Sequence, residues 1–225
     1  LRELLGKSER FGDRIYLVDG EKRLSYRDHL ELVVRTASGL RDDYGIQPGD
    51  RVALFAANRW EWIVTFWATS SLGAIPCLMN GWWTSEEFAD AAALTQPTLV
   101  VGDATRLERV KSVLNGLRTL RLDDEFEALG HRSRAAAQPA ASSVSVPIHS
   151  TREDDPAFLI FTSGTTGRAK AVTVPHRAAC GFSQVSAFTE AYGRGLFGVP
   201  LPEAGVPAPP SDDVVLVTSP LFHVS

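Results

Sequence analysis

Apolar and polar positions alternate in short blocks through the first half of the chain, and this pattern predicts strands separated by helices. The expected strands are RVALFAA (51–57), AIPCLM (74–79), TLVVGD (98–103) and TLRL (119–122). Apolar residues at helical spacing, or the lengths between strands, predict helices at 60–72, 84–95 and 104–116. Strands that alternate with helices in this way predict a parallel sheet with right-handed crossovers.

The start of the chain carries turn and capping signals. We expect a short helix over 2–10, and IYLVDGEKRLSY (15–26) predicts a hairpin that turns at Asp19-Gly20. Ser25 followed by Asp28 resembles a helix start, and Gly45 is placed to end that helix. Thr84 with Glu87 forms the capping-box pattern for the helix that runs to about Thr95.

The second half has a different composition. Residues 131–150 are rich in Ala, Ser and Pro and predict a polar connector. Beyond them we expect strands at DPAFLIF (155–161), AVTV (171–174) and VVLVTS (214–219), and a helix from Pro175 to about Tyr192. This predicts an α/β subdomain over 1–130, a linker over 131–155, and a final part over 156–225.

Composition narrows the class of protein. The net charge of −4 argues against a nucleic-acid or anionic-membrane surface, which would need a basic excess. Cys77 and Cys180 lie far apart, so we expect no zinc site, and a reducing, cytoplasmic compartment. Residues 62–85 hold no charge and are long enough to cross a bilayer. Polar residues, glycine and proline punctuate them, however, so a helix, a turn and a strand are expected rather than a membrane span.

The segment 162–171 combines four hydroxyls, two glycines, an arginine and a lysine behind the apolar run 158–161. Amides of a glycine-containing turn can converge on an anion, and Lys170 adds a full charge, so the loop suits a polyphosphate. The residue types alone are equally compatible with a solvated turn. The spacing does not match a Walker loop, and Ser163 does not lie in a nucleophile elbow.

The order of residues in FTSGTTGRAKAV (161–172) resembles the phosphate-binding signature of the adenylate-forming enzymes, [YF]-T-S-G-T-T-G-x-P-K-G. Ala169 stands where that pattern has proline, and Ala171 where it has glycine. VTVPH (172–176) and PLFHVS (220–225) resemble two further motifs of these enzymes in the expected order. Residues 24–88 resemble the N-terminal part of an acyl-CoA synthetase. The chain is thus identified as a member of this family.

The resemblance implies an α/β fold: the parallel-sheet-containing N-terminal part of the large domain of an adenylate-forming enzyme. Such enzymes use ATP with Mg²⁺ to convert a carboxylic acid to an acyl-adenylate, and coenzyme A then displaces AMP. The resemblance also implies that Lys170 neutralises phosphate charge, that Arg168 is solvated, and that His176 anchors the segment behind the loop. The residues implied to bind phosphate are Thr162, Ser163, Gly164, Thr165, Thr166, Gly167 and Lys170. Because the family's later motifs are not found, we expect a fragment that does not turn over alone, with any Mg²⁺ ligand lying elsewhere.

His223 bears on the class of acid. In the amino-acid-activating domains of the family that this chain resembles, this position is usually aspartate, which pairs with the substrate ammonium group. Histidine can instead donate a hydrogen bond to a carboxylate, which favours a fatty or aromatic acid without an α-amino group. A histidine that only packs beneath the loop is the alternative.

At the level of function, the alternative is a non-catalytic nucleotide-binding or scaffold module, which the departures at Ala169 and Ala171 keep open. A homodimer is compatible with either.

Aromatic and histidine residues outside these motifs are expected to be structural. Helical spacing predicts a core role for Trp60, Ile63, Val64 and Trp67. Burial statistics favour the core for the Trp82-Trp83 pair as well, with a partner surface as the alternative. The histidines that have no neighbouring catalytic pattern are expected at the surface: His29, His131 and His149.

Overall fold

A computed structural model describes residues 1–130, 150–162, 169–196 and 214–222. The strands are β1 (Ile15–Asp19), β2 (Lys22–Ser25), β3 (Arg51–Phe55), β4 (Ile75–Leu78), β5 (Leu99–Gly102), β6 (Arg118–Arg121), β7 (Pro156–Thr162) and β8 (Lys170–Pro175). The α-helices are α1 (Arg2–Ser8), α2 (Tyr26–Asp42), α3 (Trp60–Ser71), α4 (Ser85–Thr95), α5 (Ala104–Arg109) and α6 (His176–Leu196). Two 3₁₀ turns, Glu9–Phe11 and Lys111–Val113, complete these elements.

Six strands form one sheet in the order β6-β5-β3-β4-β7-β8. All neighbouring pairs are parallel except β7 and β8, which are antiparallel. The expected parallel α/β sheet is therefore confirmed. Strands from both sides of segment 131–149 share this sheet, although the proposed division into 1–130, 131–155 and 156–225 stays a prediction.

The alternation of β3 places the two faces of the sheet in separate hydrophobic clusters. Val52 and Leu54 belong to a first cluster with residues of α2 and α3. Ala53 and Phe55 belong to a second cluster with residues of α4 and α5. Side chains of a strand point alternately to opposite faces, so a sheet covered on both sides needs an uninterrupted apolar run. The run VALF (52–55) meets that need.

The predicted helix signals are confirmed at both ends. Ser25 and Asp28 form a capping box at the start of α2, and Thr84 and Glu87 form one at α4. After α2, Gly45 adopts φ 69°, its amide donates to the Arg41 carbonyl, and the next amide donates to the Leu40 carbonyl. The bond from the left-handed Gly45 to the carbonyl four residues earlier defines an αL motif, which satisfies a carbonyl at the helix end.

Two expected elements are wrong. The helix expected over 104–116 ends at Arg109, because Val110 leaves helical geometry (φ −105°, ψ 10°) and a 3₁₀ turn follows. The strand expected over 214–219 is absent from the described residues, and the side chain of Val214 is 93% exposed. A strand needs a backbone partner, and no described strand pairs with this segment.

Two expectations about burial are also wrong. His29 is buried rather than on the surface, because the first turn of α2 is covered by β1, where the Tyr16 ring lies 4.4 Å from the imidazole. Trp82 is 67% exposed, whereas Trp83 is buried as expected. The core role expected for α3 is confirmed: Val64 is fully buried, and the other three positions are half-buried against the first cluster. His131 and His149 lie outside the described residues.

Candidate functional site

The predicted phosphate loop joins the two strands of a hairpin. Thr162, the last residue of β7, lies opposite Lys170, the first residue of β8, in the antiparallel register. Both residues are exposed, and Lys170 forms no ion pair with any residue in the described segments. The pair therefore closes the base of a loop whose remaining predicted site residues lie outside the described residues: Ser163, Gly164, Thr165, Thr166 and Gly167. His223 also lies outside them.

The hairpin is anchored to the parallel sheet next to β4. Leu159 pairs with Cys77, and the ring of Phe161 meets Trp83 edge-on with ring centroids 4.9 Å apart. Ala169, at the other end of the loop, packs against the second hydrophobic cluster. Since the carboxyl ends of parallel strands lie at one edge of a sheet, the loop after β7 emerges beside the loop after β4.

The segment Ser219–Phe222 lies at the same edge. Phe222 is buried in the first cluster, and its ring meets Trp82 edge-on at 5.3 Å. A Cβ atom at Gly81 would lie 3.3 Å from the Phe222 ring and 2.7 Å from Nε of Arg106. The turn after β4 therefore contacts both sequence motifs: Trp83 contacts the residue before Thr162, and Trp82 contacts the residue before His223.

Ion pairs and hydrogen bonds between charged side chains connect the loops at this edge. Arg59, after β3, donates two hydrogen bonds of 2.8 Å to Glu61 and one of 3.0 Å to Asp123, after β6. Asp123 also accepts from the Ala104 amide at 2.6 Å. Burial raises the pKa of Asp123, but the hydrogen bonds from Ala104 and Arg59 outweigh it and leave that pKa below its usual value. Hydrogen bonding to Glu61 raises the pKa of Arg59, so Arg59 and Asp123 both stay charged near neutral pH.

A second carboxylate ties β5 to β3. Asp103 caps α5 by accepting from the Arg106 amide at 3.0 Å, and it also accepts from the Ala57 amide at 2.8 Å and from the Arg106 guanidinium at 2.9 Å. The loops after β3 and β5 lead to helices on opposite faces of the sheet. This is a topological switch point, where open α/β sheets commonly bind ligands. A polar cleft of about 430 Å³ opens here.

His176 lies behind the hairpin at the start of α6. It is buried, and its backbone amide donates to the Asp155 carbonyl at 3.0 Å. Burial lowers the pKa of its imidazole below the usual value, so the ring is neutral at pH 7. Its position agrees with the expected anchoring role.

The residues at this edge that sequence reasoning missed are Asn58, Arg59, Asp103, Arg106 and Asp123. The sequence does place three of them, because Asn58 and Asp123 directly follow predicted strands and Asp103 ends one. Polar residues just after a strand lie at its carboxyl end, where sites of α/β proteins form. The partners of these residues do not follow from the sequence, since they lie on other strands.

In the described residues no helix is long and apolar enough to cross a membrane.

Solved structures with this fold define its class. The chain superposes with a TM-score of 0.68 on o-succinylbenzoate CoA synthetase (MenE) from Bacillus subtilis in complex with the acyl-adenylate intermediate OSB-AMP, at 21% identity, covering 97% of this chain and 50% of that one. The N-terminal domain of FACL13 from Mycobacterium tuberculosis gives a TM-score of 0.64 at 22% identity, covering 77% and 44%. The fold is that of the N-terminal domain of adenylate-forming enzymes.

The sequence comparison identifies the family. The family model described as AMP-binding enzyme matches residues 6–225, so the chain belongs to the AMP-binding enzymes. A 4-coumarate–CoA ligase-like protein of Oryza sativa is 34% identical over 89% of this chain and 35% of its own length. A medium/long-chain-fatty-acid–CoA ligase, FadD6, of Mycobacterium tuberculosis is 29% identical over 76% of this chain and 28% of its own length. The chain thus spans about a third of the length of these relatives.

Proposed function

We propose that the whole protein containing these residues is an AMP-forming acid–CoA ligase. It activates a carboxylic acid with Mg-ATP to an acyl-adenylate and then transfers the acyl group to coenzyme A. Family membership supports the reaction class, and the relatives named above are CoA ligases. The 225 residues alone are proposed to be inactive, because they span only about a third of the length of the relatives named above.

The observation that carries the proposal is the β7–β8 hairpin. It closes with Thr162 opposite Lys170 at the carboxyl edge of a parallel sheet, and the connecting residues are Ser163-Gly164-Thr165-Thr166-Gly167 with Arg168-Ala169. In the first step the acid carboxylate oxygen attacks the α-phosphorus of ATP, and the bond to the β-phosphate oxygen breaks to release pyrophosphate. We assign the loop hydroxyls and amides to the departing phosphates and Lys170 to their charge.

Transfer completes the reaction. The thiol sulfur of coenzyme A attacks the acyl carbon, its proton leaves to solvent, and AMP departs with the electrons of the acyl–oxygen bond. This step builds no new charge on pyrophosphate. Lys170 is therefore assigned to the first step rather than the second.

The proposed acid is fatty or aromatic and lacks an α-amino group. His223 takes the position that an aspartate would need to hold a substrate ammonium group, and a second carboxylate beside the acid would repel it. The relatives named for 4-coumarate and for medium/long-chain fatty acids agree with such a substrate. Free Cys77 and Cys180 support the cytoplasm as its compartment.

Acid-dependent exchange between ATP and labelled pyrophosphate tests the proposal in the whole protein. We expect exchange with hydroxycinnamic or fatty acids and none above background with α-amino acids. Faster exchange with an α-amino acid would overturn the acid class. ATP binding without exchange for any acid would favour the non-catalytic module instead.

A further inference from the structure

Asn58 connects two parts of the chain that are far apart in sequence. It lies in the loop between β3 and α3, and its side-chain amide uses both ends on one backbone segment. The Nδ2 atom donates to the Ser219 carbonyl at 2.9 Å, and the Leu221 amide donates to Oδ1 at 2.8 Å. Contacts to residues i and i+2 of one segment reproduce the pattern of an added strand residue. They fix both the position and the direction of that segment.

Within residues 214–222, only the end of the segment packs against the rest of the protein. The side chains of Val214 and Leu216 are 93% and 82% exposed, whereas Phe222 is 7% exposed. Leu221 packs against the first hydrophobic cluster, and Phe222 lies within it. Asn58 therefore holds the backbone at the place where the chain changes from exposed to packed.

We propose that Asn58 is a positioning residue for acid binding: it fixes Ser219–Phe222, and through them the entry of the chain into the motif that continues with His223. This inference rests on the proposed ligase function. The hydrogen bonds of Asn58 go to Ser219 and Leu221, whereas the β7–β8 hairpin is anchored through Trp83 and Phe161, so we assign Asn58 to the acid rather than to ATP. The expected signature is a change in the KM for the acid with an unchanged KM for ATP.

The chemistry of asparagine makes the assignment specific. Alanine removes both hydrogen bonds. Aspartate keeps the shape and the acceptor for the Leu221 amide, but it places a second acceptor 2.9 Å from the Ser219 carbonyl. Since Asn58 is exposed, each hydrogen bond competes with water and contributes modestly. We therefore expect the loss of both bonds to raise the KM for the acid by about ten-fold.

The test compares Asn58→Ala and Asn58→Asp in the whole protein with Asn115→Ala, an asparagine in a turn far from this edge. Three quantities are measured: the KM for the acid and the KM for ATP in pyrophosphate exchange, and hydrogen exchange of the backbone amides around Leu221. For both Asn58 variants we expect an acid KM raised about ten-fold, an ATP KM within about two-fold of wild type, and faster amide exchange. Asn115→Ala should match wild type in all three.

Two results would overturn the inference. If amide exchange at Leu221 is unchanged, or accelerates while the acid KM stays at its wild-type value, Asn58 does not position the acid motif. If both KM values rise together, its role is general stability. Failure of the ligase proposal is distinguishable, because wild-type protein would then show no exchange with any acid, while the amide measurement would still report on the Asn58 contacts.

Discussion

The indole of Trp83 meets the ring of Phe161 edge-on, with centroids 4.9 Å apart and planes at 84°. This contact joins the turn after β4 to the strand that leads into the phosphate loop. It spans 78 positions of the chain. Because Trp83 is 7% exposed, the contact is part of the packed core and holds the start of the loop against the sheet.

Truncation of this indole should destabilise the protein strongly. We expect Trp83→Ala to lower the free energy of unfolding by about 3–5 kcal/mol, the usual range for emptying a buried aromatic site. The adjacent Trp82, 67% exposed, provides the matched control, and Trp82→Ala should cost less than about 1 kcal/mol. Urea denaturation followed by circular dichroism measures both. Equal losses for the two variants would contradict the packing described.

Lys170 should matter to the first half-reaction far more than to the second. In the whole protein, Lys170→Ala is expected to slow acid-dependent pyrophosphate exchange by about ten- to a thousand-fold, as for one preorganised electrostatic contact. Thioester formation from supplied acyl-adenylate should stay close to the wild-type rate. Lys111→Ala removes another exposed lysine, on a 3₁₀ turn, and serves as the control. An unchanged exchange rate for Lys170→Ala would remove this lysine from the proposed site.

Gly130 is expected to tolerate no side chain. Its φ is +75°, and a Cβ atom would lie 2.3 Å from the Arg35 carbonyl oxygen of α2. Gly130→Ala should lower the free energy of unfolding by about 2–5 kcal/mol, from left-handed strain together with overpacking. Gly20 shares the left-handed geometry (φ +56°) but has nothing within 4 Å, so Gly20→Ala should cost only about 1–2 kcal/mol. Thermal and urea unfolding compare the two, and a larger loss at Gly20 would refute the steric argument.

His29 should make the protein less stable in mild acid. Burial lowers its pKa from 6.5 to about 4, because the imidazolium is disfavoured next to apolar neighbours. As the pH falls below 6.5, the unfolded chain binds the proton and the folded chain does not. Stability is therefore lost between pH 6.5 and about 4, by about 3 kcal/mol in total. Below about pH 4 both states are protonated, and this loss stops growing.

The variant His29→Phe keeps a ring beside Tyr16 and removes the titrating group. Urea midpoints measured from pH 7 to 4 should fall less steeply for this variant than for wild type. Parallel curves would show that His29 contributes nothing to the pH dependence.

Local sequence signals specify the type and order of most elements. Apolar runs of strand length, capping boxes at Ser25 and Thr84, and the glycine after α2 are local signals, and local backbone preferences decide such features. The same holds for the hairpin around the phosphate loop. Its two strands adjoin in sequence, so their pairing needs no long-range information.

Which residues contact one another depends on long-range packing. The side of α2 that β1 covers made His29 a core residue, and the lack of a partner strand in the described residues left Val214 exposed. Asn58 reaches Ser219 across 161 positions, and Asp123 meets Arg59 across 64. Such contacts depend on the order and twist of strands in the assembled sheet. A single stretch of sequence does not specify these contacts, because packing elsewhere in the fold places each partner.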